Sequence, residues 1–69
     1  MNIGDKYIIK SKTFIDKGFA PTGSIVEITK INNNNVEVII APFITNNTRI
    51  SLETTITKDF IKCCSTKIN

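Results

Sequence analysis

Two β-branched runs separated by four consecutive asparagines constrain this chain more than any other feature. Gly23-Ser-Ile-Val-Glu-Ile-Thr-Lys-Ile31 precedes Asn32 to Asn35, and Val36-Glu-Val-Ile-Ile40 follows. β-Branched side chains pack well on a pleated surface, and asparagine tolerates the left-handed backbone of tight turns. The stretch predicts a β-hairpin in a small all-β domain. Val26 and Ile28 form the inward pair of its first strand, with Glu27 and Thr29 outward. Val36, Val38 and Ile40 form the inward set of the second, with Glu37 outward. Residues paired across a hairpin share a face, so Ile28 opposes Ile40 or Val38, and either pairing requires an odd-length loop. A three-residue loop Asn33-Asn34-Asn35, with Asn35 left-handed and bulged, meets that requirement.

Sixty-nine residues make one domain at most, near the lower size limit for folding without a metal or disulfide. Such a chain buries only about 60% of the surface it exposes when unfolded, so its core must be dense. Hydrophobic residues are 41% of the sequence, enough for an ordered globule. Isoleucine dominates them, with Phe14, Phe19, Phe43 and Phe60 as the large apolar anchors. The bias toward Ile, Asn and Lys also matches adenine- and thymine-rich codons, so lysine and asparagine counts carry little functional weight.

The formal net charge is +3, but the lysines are dispersed and interrupted by acidic residues, the pattern of a solvated surface. Histidine is absent, and the six acidic residues stand singly, so general acid–base catalysis lacks its usual equipment. The adjacent Cys63 and Cys64 are poorly placed for a mutual disulfide and too few for a zinc site. They read as one buried and one semi-exposed thiol in a reducing compartment. The expectation is a non-enzyme without metal or cofactor. Neither a secretory h-region nor a membrane-spanning run is visible, which implies a cytoplasmic (intracellular) protein without membrane contact.

Along the chain, Gly4-Asp5 opens a first strand, Lys6 to Lys10, with Tyr7 and Ile9 on one face. Ser11 to Thr22 reads as a long loop whose aromatics either plug the interior or sit exposed. Pro21 and Gly23 make a turn into the hairpin described above. Pro42 ends the next strand or marks a bulge. Asn46-Asn47 forms a hairpin tip leading into a strand from Thr48 to Leu52. A helical turn at Glu53 to Asp59 follows, because Leu52, Ile56 and Phe60 recur at helical spacing. A short strand, Phe60 to Cys64, closes the sheet. The domain thus covers residues 1–64, and 65–69 form a frayed tail.

This order resembles the small SH3-like β-barrel proteins of bacteria and their phages. The likeness lies in the lead strand after Gly4-Asp5, the Gly23 to Ile31 strand with its hairpin, and Ile50-Ser-Leu-Glu-Thr-Thr-Ile-Thr-Lys-Asp-Phe60. The resemblance implies a five-stranded barrel with one short helical turn before the last strand, Leu52 in the turn and Phe60 packed inside. The chain departs from that pattern at Ser11 to Thr22, which is longer and more aromatic. It also lacks the tryptophan and acidic loop with which SH3 domains hold proline-rich peptides. The fold hosts many functions, so activity does not travel with it.

Two kinds of function are compatible with these residues. The first is a non-catalytic protein-interaction module, in its sharper form a phage- or mobile-element-encoded inhibitor of a host or defence protein. Its contact residues are Phe14 and Phe19 in the long loop and Pro42, Phe43 and Ile44 at the following corner, since exposed loop aromatics mark interfaces. The alternative is a barrel binding single-stranded DNA or RNA. In that case Lys10, Lys12, Lys17 and Arg49 track phosphates while Tyr7, Phe14, Phe19 and Phe43 stack on bases. An uncovered barrel edge also offers a route to a homodimer.

Overall fold

Glycine and asparagine turns cut the chain into short antiparallel strands that wrap around a set of inward aliphatic side chains. In this computed structural model residues 1–68 are described. They form β1 (Lys6–Ile9), β2 (Thr13–Ile15), β3 (Gly18–Ala20), β4 (Ile25–Asn32), β5 (Asn35–Thr45), β6 (Thr48–Thr57), α1 (Lys58–Cys64) and β7 (Ser65–Lys67). The domain is all-β but for one short helix. Its hydrogen-bonded order is β2-β3-β5-β4-β1-β7, with β6 along the other side of β5.

The central hairpin keeps the expected face but solves the parity problem elsewhere. Ile28 opposes Val38, yet Asn32 already pairs with Asn35, leaving a two-residue turn in which Asn33 has φ 55°. The odd residue is Thr29, bulged between the Ile28–Val38 and Lys30–Glu37 pairs. Its hydroxyl donates to the Glu37 carbonyl at 3.0 Å. The bulge also brings Ile31, an odd step from Ile28, onto the core-facing side beside Val36.

A second bulge does the same on β5. Register shifts between the Ile40–Leu52 and Phe43–Ile50 pairs, at Ala41 and the cis-peptide-bonded Pro42. Ile40 and Phe43 therefore both face inward, at 1% and 3% exposure. Past this corner β5 leaves β4 and pairs with β3 through Phe19–Ile44. Buried Ser24 donates its hydroxyl to the Pro42 carbonyl at 2.9 Å, satisfying an acceptor at the bend.

Several expectations are corrected. Ser11 to Thr22 is not an irregular loop but the β2–β3 hairpin, so the sheet has seven strands rather than five among the described residues. Thr54-Thr55-Ile56-Thr57 stays extended on β5, as β-branched residues favour, so β6 runs to Thr57 and no helix forms at Glu53. The helix starts at Lys58, where the Thr57 hydroxyl accepts from the Phe60 amide at 3.1 Å. Leu52 and Ile56, at even spacing, share the inward face of a strand instead of a helical stripe. Ile61, at 1% exposure, is the helix residue in the core, while Phe60 is half-buried. The closing strand is Ser65–Lys67 rather than Phe60 to Cys64, and it pairs with β1, so these residues are no frayed tail. Asn69 of that tail lies outside the described residues. Cys63 is exposed and Cys64 half-buried, one step more open than expected.

The two ends of the described chain meet at Asp5. The Asn2 amide donates to Asp5 Oδ2 at 2.8 Å, and Lys67 Nζ lies 3.4 Å from the same oxygen. The Asn2 hydrogen bond first, and the Lys67 charge with it, hold the Asp5 carboxyl below its ordinary value against the opposing effect of desolvation. A carboxylate lowered on folding stabilises the fold at neutral pH and loses that contribution as pH falls through the carboxylate range. Asp5→Asn is expected to lower the melting temperature at neutral pH, with the gap to the parent closing as pH falls through the carboxylate range. Thermal melts across that range test it. Gly18 supplies a second test, because a Cβ there would collide with the Phe43 ring and the Ile44 carbonyl. The carbonyl is fixed by sheet pairing, so Gly18→Ala should destabilise by about 1–3 kcal/mol in urea denaturation.

Candidate interaction surface

Pairing across adjacent strands brings residues distant in sequence onto one face. Phe14 opposes Phe19, Phe19 opposes Ile44, and Ile44 opposes Arg49. A lateral row Phe14, Phe19, Ile44, Arg49 therefore crosses β2, β3, β5 and β6. Its neighbours along the strands fix its direction. Thr13, Ala20 and Phe43 are buried, so the row points outward. Phe14 is 70% exposed and Phe19 half-buried, with ring centroids 5.9 Å apart and planes tilted by 49°. Lys12 Nζ sits 4.7 Å from the Phe19 centroid and 6.0 Å from that of Phe14, within cation–π range of both rings.

The row and the adjoining Lys12 draw on both sets of candidates. Phe14, Phe19 and Ile44 come from the protein-contact set, Lys12 and Arg49 from the phosphate-tracking set. Pro42 is half-buried at the adjoining corner, where Ala41, Pro42, Arg49, Ile50 and Ser51 line an open groove of about 460 Å³. Phe43 does not belong to this surface. Its ring is core, because the Ala41-Pro42 bulge turns it inward. Tyr7, at 8% exposure, is likewise unavailable for stacking. Lys10 is exposed at the far end of β1, where its amide bonds the Cys64 carbonyl. Lys17 is exposed in the β2–β3 turn, and its carbonyl accepts from the Thr45 hydroxyl at 3.4 Å.

Farther along β5 the same outer face turns acidic. Lys6 opposes Glu27, Glu27 opposes Ile39 and Ile39 opposes Glu53, while Glu37 pairs with Lys30 across the hairpin. Thr29, Glu37, Glu53 and Thr55 border a polar dip of about 270 Å³ there. Ile39 on this face is a position the sequence does signal, as the one apolar outward residue in Val36 to Ile40. Among the described residues no group of three His, Cys, Asp or Glu side chains could hold a metal ion, and no helix is long and apolar enough to cross a membrane.

Comparison of the chain with protein-family models, curated protein sequences and solved structures returns no significant match.

The two faces separate by mutation. Phe14→Ala is expected to leave stability within about 0.5 kcal/mol of the parent, as for an exposed side chain. Phe43→Ala should cost about 3–5 kcal/mol, enough to unfold much of a domain this small. Chemical denaturation of both variants measures the difference.

Proposed function

We propose that this chain is a non-catalytic protein-interaction module of the SH3-like barrel type. It engages another protein through the outward row Phe14, Phe19, Ile44 and Arg49. The observation that carries this is the outward aromatic pair, Phe14 exposed and Phe19 half-buried, continued by the half-buried Ile44 and closed by the exposed Arg49. Aromatic residues and arginine dominate binding hot spots, and contiguous exposed apolar side chains are costly to leave in water without a partner. The SH3-like assignment draws support from the strand order: a lead strand, a hairpin excursion, the β4-β5-β6 meander, one short helix, and a last strand returning to β1. Lys12 and Arg49 beside the apolar row favour a partner surface that is apolar with an acidic rim. The sharper form of this proposal is an inhibitor from a phage or mobile element, acting inside the cell by covering a host or defence protein.

Single-stranded nucleic acid is the weaker candidate. Lys12 already lies over the ring faces on which bases would stack, and Glu27, Glu37 and Glu53 share the outer surface and repel phosphate. Titration with oligothymidylate at low salt should give no shifts in the amide spectrum. Strong binding that weakens steeply with added salt would replace the protein-partner proposal with a nucleic-acid one. In affinity capture from the native cell, Phe14→Ala should lose the parent's captured protein while its melting curve is unchanged.

A further inference from the structure

β6 is ten residues long and, among the described residues, pairs on one side only, with β5. The sheet's other ends, β2 and β7, are three-residue strands. Short strands, prolines and inward charges protect edges from pairing with other chains, and β6 has none of these. Its alternation is unbroken. Arg49, Ser51, Glu53 and Thr55 are exposed on the outer face, whereas Ile50, Leu52 and Thr54 face the inner side, with Ile50 still 38% exposed. Among the described residues neither Arg49 nor Glu53 makes an ion pair within the molecule.

We infer that β6 pairs with β6 of a second copy of this chain, antiparallel, about a two-fold axis through Ser51. In that register Arg49 faces Glu53 of the second copy and Glu53 faces its Arg49. On the inner side Ile50 meets Leu52 reciprocally, and Thr48 meets Thr54. The charges select this register. Moving the axis to Leu52 sets Arg49 against Thr55, and moving it to Ile50 sets Arg49 against Ser51. Axes at Arg49 or Glu53 oppose like charges, which destabilises a strand pair. Only the Ser51 register joins both charge pairs and both apolar pairs at once. The shared strand gives a small isologous interface, so the dimer dissociates on dilution. It also makes the two sheets continuous, placing the Phe14-to-Arg49 row of one copy beside the acidic band of the other.

Analytical ultracentrifugation over a concentration series tests the inference. The parent should show a reversible monomer–dimer equilibrium that weakens with salt. Arg49→Glu and Glu53→Arg, each exposed and on the solvent side of the strand, should each raise the dissociation constant by about tenfold or more by opposing like charges twice. The two single variants mixed together, and the double charge swap alone, should recover association near the parent's. A parent that stays monomeric up to millimolar concentration overturns the inference. Single variants that dimerise as well as the parent overturn it too, since they place the contact elsewhere. Phe14→Ala lies three strands from the axis and should dimerise normally, so loss of partner capture and loss of self-association are read separately.

Discussion

Everything in this small sheet depends on β5 serving three neighbours at once. It pairs along its whole length with β6 on one side, and on the other first with β4 and then with β3. Pairing with β4 ends at Ala41 and pairing with β3 begins at Ile44, so the hand-over falls at the irregular corner between them. The bulge at Ala41-Pro42 supplies the bend and leaves Ile40 and Phe43 both inside. Ser24 closes the corner from the side by bonding the Pro42 carbonyl.

The same bulge creates the surface. Since Phe43 is turned inward, Ile44 is turned out, and pairing with β3 then aligns it with Phe19 and Phe14. The inward Phe43 and the outward row are therefore two consequences of one local irregularity. Gly18 makes the alignment possible by letting β3 approach the Phe43 ring without a Cβ between them. Phe14 and Phe19 are set on paired strands instead of an irregular loop, an arrangement that lowers the ordering cost of the binding proposed for them.

How much of this was legible depends on the range over which each residue's partner acts. Alternation in Val26, Ile28, Val36, Val38 and Ile40 reveals the inward face because a strand's period is a property of the backbone alone. The need for an odd residue between Ile28 and Val38 was legible as well, but its position at Thr29 was not. A two-residue turn and a bulge have the same parity as a three-residue loop, and only pairing distinguishes them. Leu52, Ile56 and Phe60 fit a helix and a strand equally in part, and the length of β5 available for pairing decided for strand up to Thr57. The hairpin at Thr13 to Ala20 was hidden because each of its strands is three residues, too short for any period to register.

The amino-acid sequence by itself determined the all-β class, the turn positions at Gly4, Gly23 and Asn46-Asn47, and most of the core, since these follow from side-chain stiffness, tolerance of positive φ, and alternation. Tertiary structure alone decided which phenylalanines face water, which residues of four strands stand in one row, and where the sheet keeps an open edge. Those outcomes depend on register between segments far apart in the chain, and register is set by the whole sheet's packing.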